Sequence, residues 1–294
     1  MLELKTGQCV LGVKPERGGA IGFWTREGKE VLHPVSDPNL LAQQNDTVAA
    51  YPLIPFSNRV AFGRFEFEGK QYQLDPNFRG EPHTIHGNAW ERTWDVVSHE
   101  QARIVLALDH APPRDPAGQW PFSYRAEIEY ALRDDGLSVS IRVRNTDTRA
   151  QPVGLGFHPF FPRTADLQLG FSAGSVWHVG DNSLPDERLP VEGDWRFEPM
   201  HGLSGPPLDN CYAGWTGSAF LRWPEQGLAL TITAAQPFGH LVVFSPPGRD
   251  FIAVEPASNM TDAINRPDIA DRGLTILQPD AVLHAQVEFS LSHL

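Results

Sequence analysis

Cysteine is scarce in this sequence, with only Cys9 and Cys211 among 294 residues, far apart in the chain. A disulfide framework is therefore excluded as the basis of the fold, although a single bridge between the two stays open. Long apolar runs are also missing, since no stretch approaches the ~20 residues that cross a membrane. The first residues lack the basic and apolar segments of a secretory signal. These absences predict a cytoplasmic protein with no membrane partner.

Basic residues are outnumbered by acidic ones. The chain has 24 Lys and Arg against 36 Asp and Glu, which gives a formal net charge of −12. Nucleic acids and anionic membrane surfaces attract basic proteins, so neither is an expected partner. Gly18-Gly19 is too short for a phosphate-binding loop, and the Lys and Ser or Thr of such a loop do not follow it. Nucleotide chemistry is therefore not expected.

Helical periodicity is weak throughout the chain. Residues 39–50 and 261–265 could form short helices, but neither pattern sustains three turns. Glycine and proline, at 26 residues each, together make about 18% of the chain against an average near 12%. This excess of turn residues argues against a helical bundle. The absence of helices between successive strands excludes a doubly wound α/β sheet.

Apolar and polar residues alternate with period two along much of the chain. Two such runs, 124–132 and 137–143, flank Asp134-Asp135-Gly136, which predicts a β-hairpin. A shorter pair of runs flanks Glu68-Gly69-Lys70. Further strands are predicted at 104–108, 228–233, 240–244, 251–254 and 283–291. No linker or internal repeat interrupts the series, so the sequence predicts one all-β domain over residues 1–294, an antiparallel sandwich or barrel.

Five segments place ionisable residues among apolar or turn-forming neighbours. They are 54–59 (IPFSNR), 83–87 (HTIHG), 156–161 (GFHPFF), 208–215 (LDNCYAGW) and 254–259 (VEPASN). His158 lies among phenylalanines and a proline, and is either a site residue or a neutral core histidine with satisfied hydrogen bonds. Glu255 ends an apolar strand before Pro256, which interrupts the hydrogen-bonding ladder. It is either a buried partner of an arginine or a site residue at a sheet end.

His83 and His86 stand three residues apart, a spacing that suits one metal ion if the segment is helical. The β-branched residues between them, with Pro82 before and Gly87 after, favour a loop instead, and no further metal-binding pattern accompanies them. We therefore expect no metal and no cofactor. A nucleophilic enzyme is not indicated either, because there is no Gly-x-Ser-x-Gly elbow and Cys211 lies near an acidic residue rather than near cations.

What remains is a set of His, Glu, Asp, Arg and aromatic side chains without a metal or a nucleophile. Carboxylates and Arg form charge-assisted hydrogen bonds with hydroxyl groups. Aromatic faces pack against the apolar C–H surface of a sugar. The residues by themselves therefore indicate a sugar-handling β protein that transfers protons on a neutral, polyhydroxylated ligand.

The same five segments, in the same order, resemble those of the aldose 1-epimerase (galactose mutarotase) family. The matching motifs, which run from about Ile54 to Ile264, are Asn58-Arg59, His86-Gly87, His158-Pro159-Phe160-Phe161, Asp209-Asn210-Cys211 with Trp215, and Val254-Glu255-Pro256. Each motif is moderately specific, and five in the correct order are highly specific as a set. The resemblance implies a β-supersandwich, a domain of large antiparallel sheets with the active site in a concave cleft.

The resemblance also implies an activity and roles for individual residues. The expected activity is mutarotation, in which the α and β anomers of a free aldose interconvert by acid–base ring opening without a cofactor. Glu255 is the expected base at the anomeric hydroxyl O1, and His158 is the expected acid at the ring oxygen O5. The implied substrate-binding residues are Asn58, Arg59, His86 and Asp209. The expected partner is a small sugar, and the protein is expected to be a monomer or homodimer.

Three alternatives stay open on the sequence alone. A non-catalytic sugar-binding or sensor protein could use the same fold, because a fold does not fix a function. Asn58 could shape the loop that presents Arg59 instead of contacting the sugar. Trp215 could be a sugar-stacking platform or a core residue. The ordinary pKa values, near 4.3 for Glu and near 6.5 for His, suit the two catalytic roles unless burial shifts the pKa of Glu255.

Overall fold

The computed structural model describes residues 1–36, 47–112 and 118–294. The strands of the first half are β1 Leu2–Thr6, β2 Cys9–Lys14, β3 Ala20–Arg26, β4 Lys29–Leu32, β5 Ala50–Leu53, β6 Arg59–Val60, β7 Arg64–Phe67, β8 Lys70–Gln73, β9 Thr84–Ile85, β10 Asp95–His99, β11 Arg103–His110, β12 Tyr124–Arg133 and β13 Gly136–Asn145. Those of the second half are β14 Gln151–Val153, β15 Gly156–Pro162, β16 Gln168–Phe171, β17 Ser175–Val179, β18 Pro185–Leu189, β19 His201–Gly202, β20 Leu208–Ala213, β21 Ser218–Trp223, β22 Leu228–Ala234, β23 His240–Ser245, β24 Phe251–Ala257, β25 Thr275–Leu277 and β26 Val282–His293.

Most of these strands belong to two large antiparallel sheets, which confirms the predicted all-β class. An 11-stranded sheet has the order β1-β2-β3-β5-β15-β24-β23-β20-β17-β18, with β4 beside β3. A 9-stranded sheet has the order β10-β11-β12-β13-β26-β22-β21-β16-β19. Smaller ribbons pair β14 with β25, β6 with β9 and β7 with β8.

The predicted Asp-Gly hairpin is present. Strands β12 and β13 pair over their whole lengths, from Arg133 opposite Gly136 to Tyr124 opposite Asn145. Buried and half-buried residues alternate along β12, because successive side chains of a strand point to opposite faces of a sheet. The shorter predicted hairpin forms β7 and β8, and the other five predicted strands lie within β11, β22, β23, β24 and β26.

Helix occurs in the described ranges as short 3-10 turns. Their bounds include Ala61–Gly63, Ala89–Glu91, Gly193–Trp195, Pro224–Gln226 and Ala263–Asn265. The helix predicted at 261–265 is one such turn, because Asp262 has a left-handed backbone with φ of 56° that ends any helix there. The helix predicted at 39–50 falls mostly outside the described residues. At its described end, Val48 bridges to Val35 and Ala50 begins β5.

The main hydrophobic core lies between the two large sheets. Phe157 of the 11-stranded sheet lies 6.4 Å from Tyr130 and 5.9 Å from Phe289 of the 9-stranded sheet, measured between ring centroids. All three rings are buried, and aromatic side chains of this size dominate core energetics. Phe157 and Phe161 both belong to this core. Because side chains alternate along a strand, His158 between them points to the opposite face of the sheet.

Two smaller apolar clusters lie on that opposite, outer face of the 11-stranded sheet. The first includes Tyr51 and Phe160. The second is built on β17, β20 and β23 and includes Trp177 and Val242. The polar residues singled out from the sequence lie between the two clusters, so this face presents the candidate site.

Candidate active site

One row of side chains crosses the outer face of the 11-stranded sheet. Tyr51 of β5 is registered opposite His158 of β15, and the register of β15 with β24 sets His158 opposite Glu255. On the far side, Glu255 pairs with Val242 of β23, and Val242 pairs with Cys211 of β20. Strand register therefore brings His158 and Glu255 together although they are distant in sequence.

His158 and Glu255 are in direct contact. His158 Nε2 lies 3.2 Å from Glu255 Oε1, and the two side chains are 7% and 2% exposed. Burial raises the pKa of Glu255 well above its ordinary value, and the nearby Asp209 carboxylate adds to this more than Arg59 opposes it. Burial also lowers the pKa of His158 to about 3. Both groups are shifted away from ordinary values because removal from water disfavours their charged forms.

The second heteroatom of each member of this pair is unsatisfied. Glu255 Oε2 and His158 Nδ1 are buried and have no hydrogen-bond partner among the described residues. Leaving a buried polar atom without a partner costs about 1–3 kcal/mol. Native proteins keep such atoms mainly where they have a further purpose. The pair therefore combines an acid–base contact with hydrogen-bonding capacity that a bound hydroxyl group can use.

The backbone of Asn58 fixes the tautomer of His86. The Asn58 N–H donates to His86 Nδ1 at 3.2 Å, so the hydrogen of the neutral ring is on Nε2. Burial lowers the pKa of His86 well below its ordinary value, and His158 and Arg59 lower it further. The ring lies edge to face against His158, with centroids 5.4 Å apart. His86 is thus a neutral N–H donor beside the acid–base pair.

Asn58 and His86 both adopt the left-handed backbone conformation, with φ of 61° and 63°. Asparagine tolerates this conformation because its short polar side chain bonds to nearby groups. Here Asn58 Oδ1 accepts hydrogen bonds from the Arg59 backbone N–H at 2.9 Å and from Arg59 Nη1 at 3.3 Å. Pairing of Arg59 with Ile85 in β6 and β9 holds the two segments side by side. Asn58 therefore shapes the turn and orients Arg59.

Arg59 lies between two carboxylates. Its Nε and Nη2 donate to Glu81 Oε2 and Oε1 at 3.4 and 3.0 Å, and its Nη1 lies 3.5 Å from Asp209 Oδ2. Although burial opposes it, Asp209 and Glu81 raise the pKa of Arg59 overall, so the guanidinium keeps its charge. The contact with Asp209 joins the 54–59 segment to β20. All six site residues predicted from the sequence thus belong to one connected cluster.

Exposure of these side chains increases from the sheet outward. Glu255 and His158 are almost completely covered, whereas the side chains of Arg59, Glu81 and Asp209 are 11%, 20% and 35% exposed. The acid–base pair forms the floor of the site, and charged hydrogen-bonding groups form its rim. A ligand here would meet the pair with its deepest atoms and the rim with its outer hydroxyl groups.

Sequence reasoning missed Glu81 and Tyr51. Glu81 lies in a loop before Pro82, and an ion pair between two loops leaves no periodic signal in either of them. Tyr51 stacks on the ring of His158, with centroids 4.8 Å apart. The signal available for Tyr51 is its position three residues before the 54–59 segment, as the aromatic second residue of a fully buried strand.

Other residues singled out from the sequence have structural roles. Trp215 is buried in the main core and its Nε1 donates to Ser218 O at 2.9 Å, so the core alternative is the observed one. Cys9 and Cys211 are free, buried thiols, which excludes the bridge left open above. Burial raises the pKa of Cys211 to about 12, so this thiol is not ionised at neutral pH.

His83 does not join His86 in the site, because both of its ring nitrogens bond to backbone groups. The part of the chain that the structure describes contains no group of three or more His, Cys, Asp or Glu side chains placed to hold a metal ion. Within the same described ranges, none of the helices has the length and apolarity to cross a membrane.

Two large antiparallel sheets with this site on one outer face define a β-supersandwich of the galactose mutarotase-like class. The model of the aldose 1-epimerase family matches residues 1–290. This chain belongs to the aldose 1-epimerase family.

Several known proteins and a solved structure are similar to this chain. The uncharacterized protein YphB of Escherichia coli K12 is 30% identical over 278 residues, which cover 91% of each chain. Aldose 1-epimerase of the same organism is 28% identical over 176 residues, which are 58% of this chain and 47% of that protein. The crystal structure of a candidate aldose 1-epimerase from Escherichia coli K12 has a TM-score of 0.88 at 27% identity and covers 99% of this chain and 98% of that one.

Proposed function

We propose that this protein is an aldose 1-epimerase, a single domain that interconverts the α and β anomers of a free aldose. The observation that carries the proposal is the His158–Glu255 pair, 3.2 Å apart at the floor of the site. Ring opening removes a proton from O1 and adds one to O5, and both oxygens are bonded to the same carbon, C1. The acid and the base for this reaction must therefore lie side by side, as these two groups do.

The pair holds a single proton over the pH range between its two shifted pKa values. Burial places the pKa of Glu255 high and the pKa of His158 low, and between the two values one proton is shared by the pair. At rest these shifts place the proton on Glu255, and its transfer to His158 across the 3.2 Å contact gives the reactive form. Glu255 then takes the hydrogen of O1 while His158 protonates O5 and the C1–O5 bond breaks. The pair still holds one proton afterwards. Rotation about C1–C2 and the reverse transfer then close the ring as either anomer.

The remaining cluster would hold the sugar during ring opening. His86, neutral with its hydrogen on Nε2, and the permanently charged Arg59 are donors for an oxygen on which negative charge develops. Asp209, at the rim, accepts hydrogen bonds from sugar hydroxyl groups. Asn58 acts through Arg59, since its side-chain oxygen bonds to both the backbone and the guanidinium of that residue.

Saturation-transfer NMR or polarimetry tests the proposal directly, on galactose, glucose, arabinose, xylose and fucose. The expected result is exchange faster than the spontaneous rate for at least one sugar. Glu255→Gln keeps the shape of the side chain and removes the base, so it should lower kcat by about a hundredfold or more. Glu129→Gln, the same substitution beside Arg103 on the surface of β12, is the matched control and should keep full turnover.

Two outcomes would contradict the proposal. Near-normal turnover in Glu255→Gln would show that another group is the base. Binding of the sugars without any acceleration of exchange would identify a sugar-binding or sensor protein on the same fold.

A further inference from the structure

Most of the hydrogen-bonding capacity of Arg59 is already in use. Glu81 takes the Nε and Nη2 edge through both of its oxygens, at 3.4 and 3.0 Å. Nη1 contacts Asn58 Oδ1 at 3.3 Å and Asp209 Oδ2 at 3.5 Å. Counting one N–H for each contact, four of the five N–H groups are occupied. The Nε and Nη2 edge is a fork that binds carboxylate or phosphate groups in a bidentate manner, and Glu81 fills it.

Carboxylates outnumber positive charges in this part of the site. Glu81 and Asp209 flank the single guanidinium of Arg59. His86 and His158 are neutral, because burial lowers the pKa of each. An anionic group brought to Arg59 would therefore meet two carboxylates at close range, and such like-charge contacts are strongly unfavourable. A neutral hydroxyl group needs only the N–H that remains.

Glu81 is presented by an anchored loop. Its backbone N–H donates to Phe78 O at 3.1 Å, which closes a turn. The neighbouring His83 is completely buried: its Nδ1 accepts from the Phe62 N–H at 3.0 Å, and its Nε2 donates to Asn182 O at 2.9 Å. His83 thus ties the loop to two other segments. These hydrogen bonds anchor the backbone of the loop, and the loop holds the Glu81 carboxylate against Arg59.

We propose that Glu81 is a specificity-determining residue, which occupies the anion-binding edge of Arg59 and so restricts the site to neutral aldoses and excludes uronates and sugar phosphates. This inference rests on the proposed function, because it concerns the substrate of the same site. Replacing Glu81 with glutamine removes one negative charge and breaks the two-oxygen contact, because glutamine has a single acceptor oxygen, so at least one of the Nε and Nη2 donors becomes available to an anionic ligand.

Glu81→Gln tests the proposal, since it keeps the length of the side chain and removes its charge. Equilibrium titrations with galacturonate, galactose 6-phosphate and inorganic sulfate, with galactose as the neutral reference, measure binding without turnover. Wild type should prefer galactose, and Glu81→Gln should bind the anions on the order of tenfold more tightly than wild type does. Glu81→Asp keeps the charge and should keep excluding them. Sulfate should shift the Arg59 Nε–H signal in 15N NMR of Glu81→Gln.

The matched control is Glu129→Gln, which breaks a surface pair with Arg103 at 2.7 Å and changes the net charge equally. It should bind the anions as weakly as wild type does. Equal affinity of wild type for galactose and galacturonate would overturn the proposal. Unchanged anion binding by folded Glu81→Gln would also overturn it.

A measurement on wild type covers the case in which Glu81→Gln does not fold. Salt screens like-charge repulsion, weakly where the charges are partly buried, so the preference for galactose over galacturonate should shrink slightly as sodium chloride is added, and a preference that grows with salt would overturn the proposal. Different results would overturn the proposed function and the proposed role of Glu81. Absence of accelerated exchange on every neutral aldose would overturn the proposed function, whereas exchange on galactose with no effect of Glu81→Gln would overturn the role of Glu81 alone.

Discussion

The ring of Tyr51 lies flat against the imidazole of His158, with centroids 4.8 Å apart and planes inclined by 21°. The two residues are registered opposite each other on β5 and β15. Phe160 contacts the same imidazole from its own strand, at 4.5 Å between centroids. Packing between these two rings leaves the imidazole little freedom to tilt, so it fixes the contact of His158 with Glu255.

We expect Tyr51→Leu to lower kcat by up to about tenfold, because stacking of this kind contributes about 0.5–1.5 kcal/mol and its loss lets the imidazole move. The KM should change less. Anomeric exchange measured per folded molecule checks this. Tyr72→Leu, which removes a stacked pair with Phe65 at 5.0 Å elsewhere in the fold, should reduce thermal stability and leave kcat intact. Equal kcat for Tyr51→Leu and wild type would contradict the argument.

The pH dependence of kcat/KM should be flat between the lowered pKa of His158 and the raised pKa of Glu255. Below the lowered pKa of His158 both groups are protonated and the base is lost, whereas above the raised pKa of Glu255 the pair has no proton and the acid is lost. Activity should therefore fall on the alkaline side only above the pKa of Glu255. Exchange rates corrected for the spontaneous reaction give the profile. Loss of activity as the pH falls through 6.5, the ordinary pKa of histidine, would contradict the lowered pKa of His158.

Glu255→Gln should make the protein more stable as it makes it inactive. Because the pKa of Glu255 is raised in the folded state, its contribution to stability is complete below the unfolded-state pKa and is lost as pH rises toward the folded-state pKa. Glutamine has no proton to lose. The advantage of Glu255→Gln should grow between these two pKa values by up to about 1.4 kcal/mol per pH unit. Urea unfolding at acidic, neutral and alkaline pH measures it, and an advantage independent of pH would refute this account.

Asn58→Gly should weaken sugar binding more than it slows ring opening. Glycine keeps the left-handed backbone but lacks the oxygen that holds the guanidinium of Arg59. The expected result is a several-fold higher KM with a smaller change in kcat, since the lost hydrogen bonds orient a binding group. Asn58→Asp keeps an acceptor and should retain a low KM. A loss confined to kcat would instead point to a role in proton transfer.

The strands were predictable because each buried face leaves a period-two pattern, as in the hairpin around Asp134-Asp135-Gly136. The pairing of distant strands was not. β15 lies between β5 and β24, and no local feature of the GFHPFFP sequence predicts that these two strands are its partners. The pairing depends on which apolar faces fit together in the whole sheet, so it becomes visible only in the folded chain.

The candidate site was predictable where it depends on motifs. His158 and Glu255 stand out because ionisable residues inside apolar strands are uncommon, and the structure places them in contact. Their protonation was not predictable, since the burial that shifts both pKa values comes from segments far away in sequence. The ion pair between Glu81 and Arg59 was not predicted either, because it depends on how two segments distant in sequence pack against each other.

Neighbouring residues of β15 have different roles. Phe157 and Phe161 fill the space between the sheets, whereas His158 and Phe160 face the site. The same division applies along β24, where Val254 is in the core and Glu255 is in the site. Every second position on these strands can therefore be varied without changing a residue of the core between the sheets. A library restricted to the outer positions of β20, β23 and β24 would change the lining of the candidate site and leave the core between the two sheets unaltered.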